Sequence, residues 1–112
     1  MDTRQRRRYE RISLSMDLEV KDLSTGRTWR GRSIDLSRGG MGFFAERFLP
    51  KGTPIRIHLQ VPWDGRHVTA QVGATVMWSR TEGDGGVMGS MFDIELSPLN
   101  QPVLCEIVDR GA

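Results

Sequence analysis

The run VTAQVGATVMW, residues 68–78, places an apolar residue at every second position. Successive side chains of a β-strand point to opposite faces, so a period of two predicts a long strand with one buried face. The alternating set comprises Val68, Ala70, Val72, Ala74, Val76 and Trp78. The fold class is therefore expected to rest on strands.

Alternating or β-prone runs also occur on both sides of this strand. Glycine, proline, serine and aspartate separate them, and these residues favour turns. The predicted strands are Leu14 to Lys21, Thr28 to Leu36, Met41 to Ala45, Ile55 to Val61, Val68 to Trp78 and Val87 to Leu96. No long crossover connects them, which favours antiparallel pairing.

Beyond Pro98 the apolar spacing changes to that of a helix. Leu99, Val103 and Ile107 recur at helical intervals, with Leu104 and Val108 beside them. Closing a sheet removes its exposed edges. We therefore predict an all-β fold, a six-stranded antiparallel β-barrel with a short C-terminal α-helix that covers an open end or a flank.

Size and composition restrict the class of protein. The chain has 112 residues, enough for one compact domain, and its single cysteine cannot form an internal disulfide. Its two histidines, His58 and His67, are too isolated to predict a metal site. The basic start is not followed by an apolar run, so we expect no secretory signal, no membrane insertion and a cytoplasmic location.

Arginine dominates the basic residues and is concentrated at the start of the chain. Fourteen of the 16 basic residues are arginine, and five of these fall in the first 11 residues, beside Asp2 and Glu10. This segment carries a charge of +3, and the remainder carries −1. We expect residues 1–12 to form a flexible arginine-rich arm and residues 13–112 to form the barrel with its helix. A basic arm alone is also typical of a solvated tail or of nonspecific polyanion binding.

A second polar cluster, residues 33–40, has the sequence SIDLSRGG. Strand geometry predicts that Asp35 and Ser37 share one face, with Ile34 and Leu36 on the other. Gly39 and Gly40 would permit positive φ and let a ligand approach the backbone. An ordinary turn, with Asp35 and Ser37 bonded to their own backbone, has the same composition.

Taken together, the two clusters suit a guanine nucleotide. An arginine fork pairs with the O6 and N7 acceptors of guanine, and a carboxylate accepts from the donors on its opposite edge. The remaining arginines can neutralise phosphates.

The motifs in these clusters resemble those of a known family. Arg7-Arg8-Tyr9-Glu10-Arg11 resembles the RxxxR motif of the PilZ domain, a bacterial receptor for cyclic di-GMP, and Asp35-Leu36-Ser37-Arg38-Gly39-Gly40 resembles its [D/N]xSxxG motif. The segments Trp78-Ser79-Arg80 and Gly89-Ser90-Met91-Phe92 resemble its last two strands. The resemblance covers nearly the whole chain.

The resemblance implies a role for each matching residue. Arg7 and Arg11 would wrap the phosphates and guanine, with Arg8 as a further phosphate contact. Asp35 and Ser37 would hold a guanine edge, while Gly39 and Gly40 keep the turn open. Arg6, directly before RxxxR, implies a stacked pair of cyclic di-GMP molecules. Trp78 would either stack on a guanine or belong to the barrel core or edge.

The expected function is a non-enzymatic cyclic di-GMP receptor, without a metal or other cofactor, in which the arm folds over the nucleotide. Its changed surface would signal to an unidentified effector protein, and homodimerisation is left open. No catalytic constellation surrounds Ser37. Two alternatives remain: a nucleic-acid-binding β-barrel that uses the same arm on phosphates, and a protein-interaction adaptor that works without nucleotide, which the intact motifs disfavour.

Overall fold

The computed structural model describes residues 10–111. In this part of the chain, short turns connect seven strands, and one helix follows them. The strands are β1 (Ile12–Ser13), β2 (Asp17–Asp22), β3 (Thr28–Leu36), β4 (Gly40–Ala45), β5 (Pro54–Trp63), β6 (Arg66–Glu82) and β7 (Gly85–Phe92), and the helix is α1 (Pro102–Gly111).

The strands bond to one another in a ring. Every pairing is antiparallel, in the order β3-β2-β5-β6-β7-β4, and β4 pairs back onto β3. The short β1 pairs with the end of β3, and β2 pairs with the earlier part of the same strand. Among the strands of residues 10–111, the closed arrangement leaves no long unpaired edge. The predicted all-β barrel with a C-terminal helix is confirmed, with β1 as an additional short strand.

A break at residues 14–16 separates β1 from β2, whereas the sequence predicts one strand from Leu14. The hydroxyl of Ser33 occupies the break: it accepts the N–H of Met16 at 2.8 Å and donates to the carbonyl of Leu14. Ser33 is buried, so these bonds satisfy backbone groups that the ladder leaves unpaired. A side chain from the neighbouring strand thus replaces part of the regular pairing.

The core lies inside the ring. Alternate residues of β5, namely Ile55, Ile57, Leu59 and Val61, are fully buried. Each such side chain stabilises the fold by about 1.5–3 kcal/mol relative to exposure. From α1, Leu104 and Val108 enter the same core. The helix therefore packs on the barrel through its apolar face, as predicted.

The C-terminal helix begins later than the helical spacing of the sequence suggests. It starts at Pro102, a residue suited to the first position of a helix because its missing N–H needs no partner there. Leu99 lies in the preceding turn and is 97% exposed, so its predicted place on the apolar stripe was wrong. The last strand also ends at Phe92, before the predicted Leu96. In residues 10–111, no helix has the length and apolar character needed to span a membrane.

Candidate functional site

A β-bulge in β3 turns Asp35 to the outside of the barrel. Ser33 pairs with Phe43 and Asp35 pairs with Gly42, so Ile34 is an extra residue. Ser33 is buried before the bulge, and Leu36 is buried after it, while Ile34 is 46% exposed. The prediction that Ile34 and Leu36 share a face was wrong, because the bulge reverses the alternation between them.

The carboxylate of Asp35 is held by a backbone bond and an ion pair. Its Oδ1 accepts the N–H of Gly42 at 2.7 Å and the Nη1 of Arg11 at 2.9 Å. Within residues 10–111, the hydrogen bonds to this carboxylate all use Oδ1. Arg11 precedes β1, whose Ser13 pairs with Asp35, so the register brings the two motifs together. Both side chains remain partly exposed.

The residues after Asp35 form a tight turn that Ser37 organises. The Ser37 hydroxyl accepts the N–H groups of Gly39 and Gly40, each at 3.2 Å, and donates to the carbonyl of Gly40 at 3.2 Å. Ser37 is 3% exposed. Ser37 therefore lies in the turn after β3, where its buried hydroxyl is engaged by the backbone of that turn.

The two glycines of the turn serve strand pairing. Neither Gly39 nor Gly40 adopts positive φ, contrary to the expectation from the sequence, and a Cβ at Gly40 would lie 2.1 Å from the carbonyl oxygen of Ser90 on β7. The carbonyl of Gly39 accepts a hydrogen bond from the N–H of Phe92 at 2.9 Å. Gly40 is required because β4 and β7 approach closely.

Arg38, in the same turn, connects it to α1. Its guanidinium donates to both carboxylate oxygens of Asp109, with Nη2 2.8 Å from Oδ2 and 3.0 Å from Oδ1. The hydrogen bonds to Asp109 and its negative charge raise the pKa of Arg38 above its ordinary value. The Arg38 carbonyl also accepts the N–H of Leu96 at 2.8 Å. The turn after Asp35 is thus bonded both to α1 and to the segment before it.

A second bulge, at Met77 in β6, turns Trp78 outward. Val76 pairs with Ser90 and Trp78 pairs with Gly89, leaving Met77 as the extra residue. Val76 is fully buried and Trp78 is 48% exposed. The predicted alternation therefore ends at Val76, and a place for Trp78 in the core is excluded.

Asp35 and Trp78 lie on one row across four strands. Asp35 pairs with Gly42, Gly42 with Gly89, and Gly89 with Trp78. A Cβ at Gly42 would lie 3.0 Å from Asp35 Oδ1, and one at Gly89 would lie 2.0 Å from Trp78 Nε1. The carboxylate and the indole thus cover glycines on neighbouring strands, whose spacing is about 4.8 Å. We call these four residues the Asp-Gly-Gly-Trp row.

Sequence reasoning did not include Gly42 or Gly89 among the site residues. A glycine inside a strand marks a bulge or a close approach, and that signal was available at both positions. The row places Asp35 and Trp78 on one outer surface, and Arg11 joins that surface through its ion pair with Asp35. Arg6, Arg7 and Arg8 lie outside the described residues, so their predicted contacts remain predictions.

A separate cavity of about 590 Å³ lies on the outer face of β2, β3 and β5. Its lining includes Glu19, Arg30 and His58, but neither Asp35 nor Trp78. At its border, Arg32 is paired with Asp17 at 2.5 Å. The cavity mixes both signs of charge, and among the motif residues that the structure describes, neither Arg11 nor residues 35–40 line it.

The family model described as PilZ domain matches residues 5–108. The chain belongs to the PilZ family. In this PilZ domain, Arg11 of the RxxxR segment forms an ion pair with Asp35 of the [D/N]xSxxG segment. No significant match to a curated protein sequence is found.

Solved PilZ structures share the fold. The PilZ domain of YcgR from Escherichia coli, solved with c-di-GMP, is 25% identical with a TM-score of 0.68, covering 96% of this chain and 92% of that one. A longer YcgR in complex with c-di-GMP is 27% identical with a TM-score of 0.71, covering 94% of this chain and 45% of that one.

A more distant structure extends the comparison of folds. MotI/DgrA, an inhibitor of motility from Bacillus subtilis, is 19% identical with a TM-score of 0.71. The match covers 95% of this chain and 50% of MotI/DgrA. This PilZ domain therefore spans about half of that protein and less than half of the longer YcgR chain.

Proposed function

We propose that this PilZ domain is a non-enzymatic receptor for cyclic di-GMP. The observation that carries the proposal is the Asp-Gly-Gly-Trp row, with Arg11 bonded to its carboxylate. The two YcgR structures, both solved with c-di-GMP, support the choice of ligand. A guanine nucleotide has chemical groups that complement each polar residue of this surface.

In this proposal Asp35 recognises guanine by accepting hydrogen bonds from its edge. The N1–H and N2–H₂ groups of guanine are donors, and an ionised carboxylate is purely an acceptor. Gly42 and Arg11 both bond Oδ1, so Oδ2 is the oxygen through which we expect Asp35 to accept from the base. Adenine carries an acceptor at N1, so the same carboxylate disfavours it.

Trp78 supplies the stacking surface. An exposed indole beside the carboxylate lets a base form hydrogen bonds at its edge and stack on its face at the same time. Stacking of a base on an aromatic side chain contributes about 1–3 kcal/mol. We therefore assign Trp78 to the ligand, together with the polar residues of the motifs.

The arginine arm completes the site. Arg7, Arg8 and Arg11 would bind phosphates and the guanine acceptors through charge-assisted hydrogen bonds. Arg6 would favour a stacked pair of ligands. Folding the arm over the nucleotide costs about 1–2 kcal/mol of conformational entropy per residue ordered, which these bonds must exceed.

The turn after Asp35 has a supporting role in the proposal. Ser37, Gly39 and Gly40 hold the backbone that carries the carboxylate. A direct contact of Ser37 with guanine would require its hydroxyl to leave the N–H groups of Gly39 and Gly40. The ligand-bound surface would then act on an effector protein or promote self-association.

Isothermal titration calorimetry of the full chain with cyclic di-GMP tests the proposal. We expect binding, with two nucleotides per chain if the stacked pair forms. Arg11→Ala and Asp35→Ala should each weaken binding at least tenfold, because each removes an ionised hydrogen-bonding group, a loss of roughly 1.5–3 kcal/mol. Arg56→Ala and Asp84→Ala, which change exposed residues outside the row, are the matched controls.

Absence of binding at tens of micromolar ligand would overturn the proposal. Wild-type affinity in both Arg11→Ala and Asp35→Ala would remove this surface as the site. A ratio of one ligand per chain would overturn the stacked pair alone. Titrations at several salt concentrations separate the ligand from a nucleic acid, since each phosphate contact on a long polyanion steepens the salt dependence.

A further inference from the structure

Trp78 and Gly89 form a cross-strand pair in which only glycine leaves enough space for the indole. A Cβ built on Gly89 would lie 2.0 Å from Nε1, 2.4 Å from Cε2 and 2.7 Å from Cδ1 of Trp78. Real Cβ atoms essentially never approach a heavy atom within 3.0 Å. All three atoms belong to the five-membered ring of the indole, which therefore packs directly on the glycine backbone. Any larger residue at position 89 must displace the indole.

The bulge at Met77 provides the other half of this arrangement. Without the extra residue, the alternation of β6 would point Trp78 into the core, as Val76 points. With it, the indole emerges on the outer face directly opposite Gly89 and keeps about half of its surface exposed. The bulge sets the direction of the side chain, and the glycine sets how closely it lies on the sheet.

The neighbouring pair of the row constrains the indole further. Asp35 covers Gly42, the cross-strand partner of Gly89, so the carboxylate and the indole lie above adjoining strands. If the indole rose or rotated to avoid a Cβ at position 89, its distance and angle to the carboxylate would change. A base that bonds Asp35 at its edge would then lose its stacking partner.

We propose that Gly89 is a positioning residue for nucleotide binding: by lacking a side chain, it holds Trp78 where a base bonded to Asp35 can stack on it. This inference rests on the proposed function and goes beyond it, because it assigns a ligand effect to a residue that does not contact the ligand. The competing explanation is that Trp78 merely covers Gly89 and stabilises the sheet, as aromatic residues do for strand glycines.

The experiment is a double-mutant cycle on the full chain, using Gly89→Ala, Trp78→Ala and the double variant. Calorimetry with cyclic di-GMP measures affinity, and thermal unfolding without ligand measures stability. Gly73→Ala is the matched control, because its Cβ on β6 would meet only the carboxylate end of Asp93, 2.6 Å away and outside the row. We expect Gly89→Ala and Trp78→Ala each to weaken binding about tenfold, the range of one base stack.

The double variant carries the decisive result. If Gly89 acts through Trp78, the double variant binds no more weakly than Trp78→Ala. Affinity losses that multiply, or a Gly89→Ala variant that binds as tightly as wild type and Gly73→Ala, would overturn the inference. Stability losses without any loss of affinity would establish the covering role and overturn it as well.

The inference stays testable if Gly89→Ala fails to fold. Removing the indole makes room for the new methyl group, so the double variant should fold and bind like Trp78→Ala. A double variant that is unfolded or binds more weakly would show that Gly89 is needed for another reason. A wild-type chain that binds no cyclic di-GMP would refute the proposed function itself, whereas wild-type binding with an unaffected Gly89→Ala would refute the inference alone.

Discussion

Asp35 uses one carboxylate oxygen for two different tasks. The bond from the N–H of Gly42 to Oδ1 fixes the direction of the side chain relative to β4. The bond from Arg11 to the same oxygen ties the segment before β1 to β3. The first bond is to a backbone that is paired with strands on both sides, while the second is to a long, mostly exposed side chain. If Arg11 turned to a bound ligand, as proposed, the Gly42 bond would still fix the direction of the carboxylate.

The two tasks can be separated by stability measurements on two variants. Asp35→Ala leaves the Gly42 N–H without its acceptor, and we expect a loss of about 1–3 kcal/mol in the free energy of unfolding. Asp35→Asn keeps an acceptor for Gly42 and gives up the exposed ion pair, so a loss of less than about 1 kcal/mol is expected. Urea denaturation measures both losses. Equal losses in the two variants would show that the Gly42 bond contributes no stability of its own.

At the level of strands, the bulges account for the largest differences between sequence prediction and structure. The period-two pattern correctly predicted strands through Leu36 and Trp78, and it correctly placed Val72 and Val76 in the core. It could not predict which residue would be extra, because Ile34 and Met77 are ordinary strand residues. Both bulges stand one residue before a predicted site residue and turn it outward. The candidate residues were thus identifiable by type, but their common surface was not.

The Arg38–Asp109 pair makes α1 part of the same arrangement, and its strength can be measured. We expect a double-mutant cycle of Arg38→Ala and Asp109→Ala to give a small favourable coupling, because both side chains are partly exposed and solvent screens the pair. Chemical denaturation at low and high salt is the measurement, and added salt should reduce the coupling. A cycle on Arg32 and Asp17, a pair on the barrel wall, provides the comparison.

The sign of the pKa change defines how this pair responds to pH. Because the pKa of Arg38 is raised in the folded protein, its contribution is fully present below the ordinary arginine value and is lost only at higher pH. The coupling should therefore stay constant when the pH is changed around neutrality. A coupling that falls as the pH rises through neutrality, or one that salt leaves unchanged, would contradict an ion pair as its source.

For the molecule as a whole, the short strand β4 closes the ring, and glycines line both of its seams. On the β3 side, a Cβ at Gly31 would lie 2.0 Å from the carbonyl oxygen of Phe44. On the β7 side, Cβ atoms at Gly40 and Gly85 would lie 2.1 and 2.2 Å from carbonyl oxygens. Alternation and the absence of long connections were enough to predict a closed barrel. They did not predict which strand closes it, since that depends on backbone approach.

Closure through β4 leads to a prediction for Gly31, which lies four residues before Asp35 and belongs to neither motif. A methyl group there meets two backbone atoms of β4, the Ala45 Cα at 3.1 Å and the Phe44 oxygen, so the clash cannot be relieved by rotating a side chain. We expect Gly31→Ala to separate β3 from β4 and to reduce the free energy of unfolding by about 1–3 kcal/mol, as overpacking does elsewhere. Gly73→Ala is again the control, because the flexible Asp93 carboxylate can move aside. Urea denaturation measures the free energy of unfolding of both variants. If Gly31→Ala were as stable as Gly73→Ala, the seam between β3 and β4 would tolerate a side chain. Since Asp35 and Gly42 belong to that same seam, an opened ring should also weaken nucleotide binding, although neither motif has been changed.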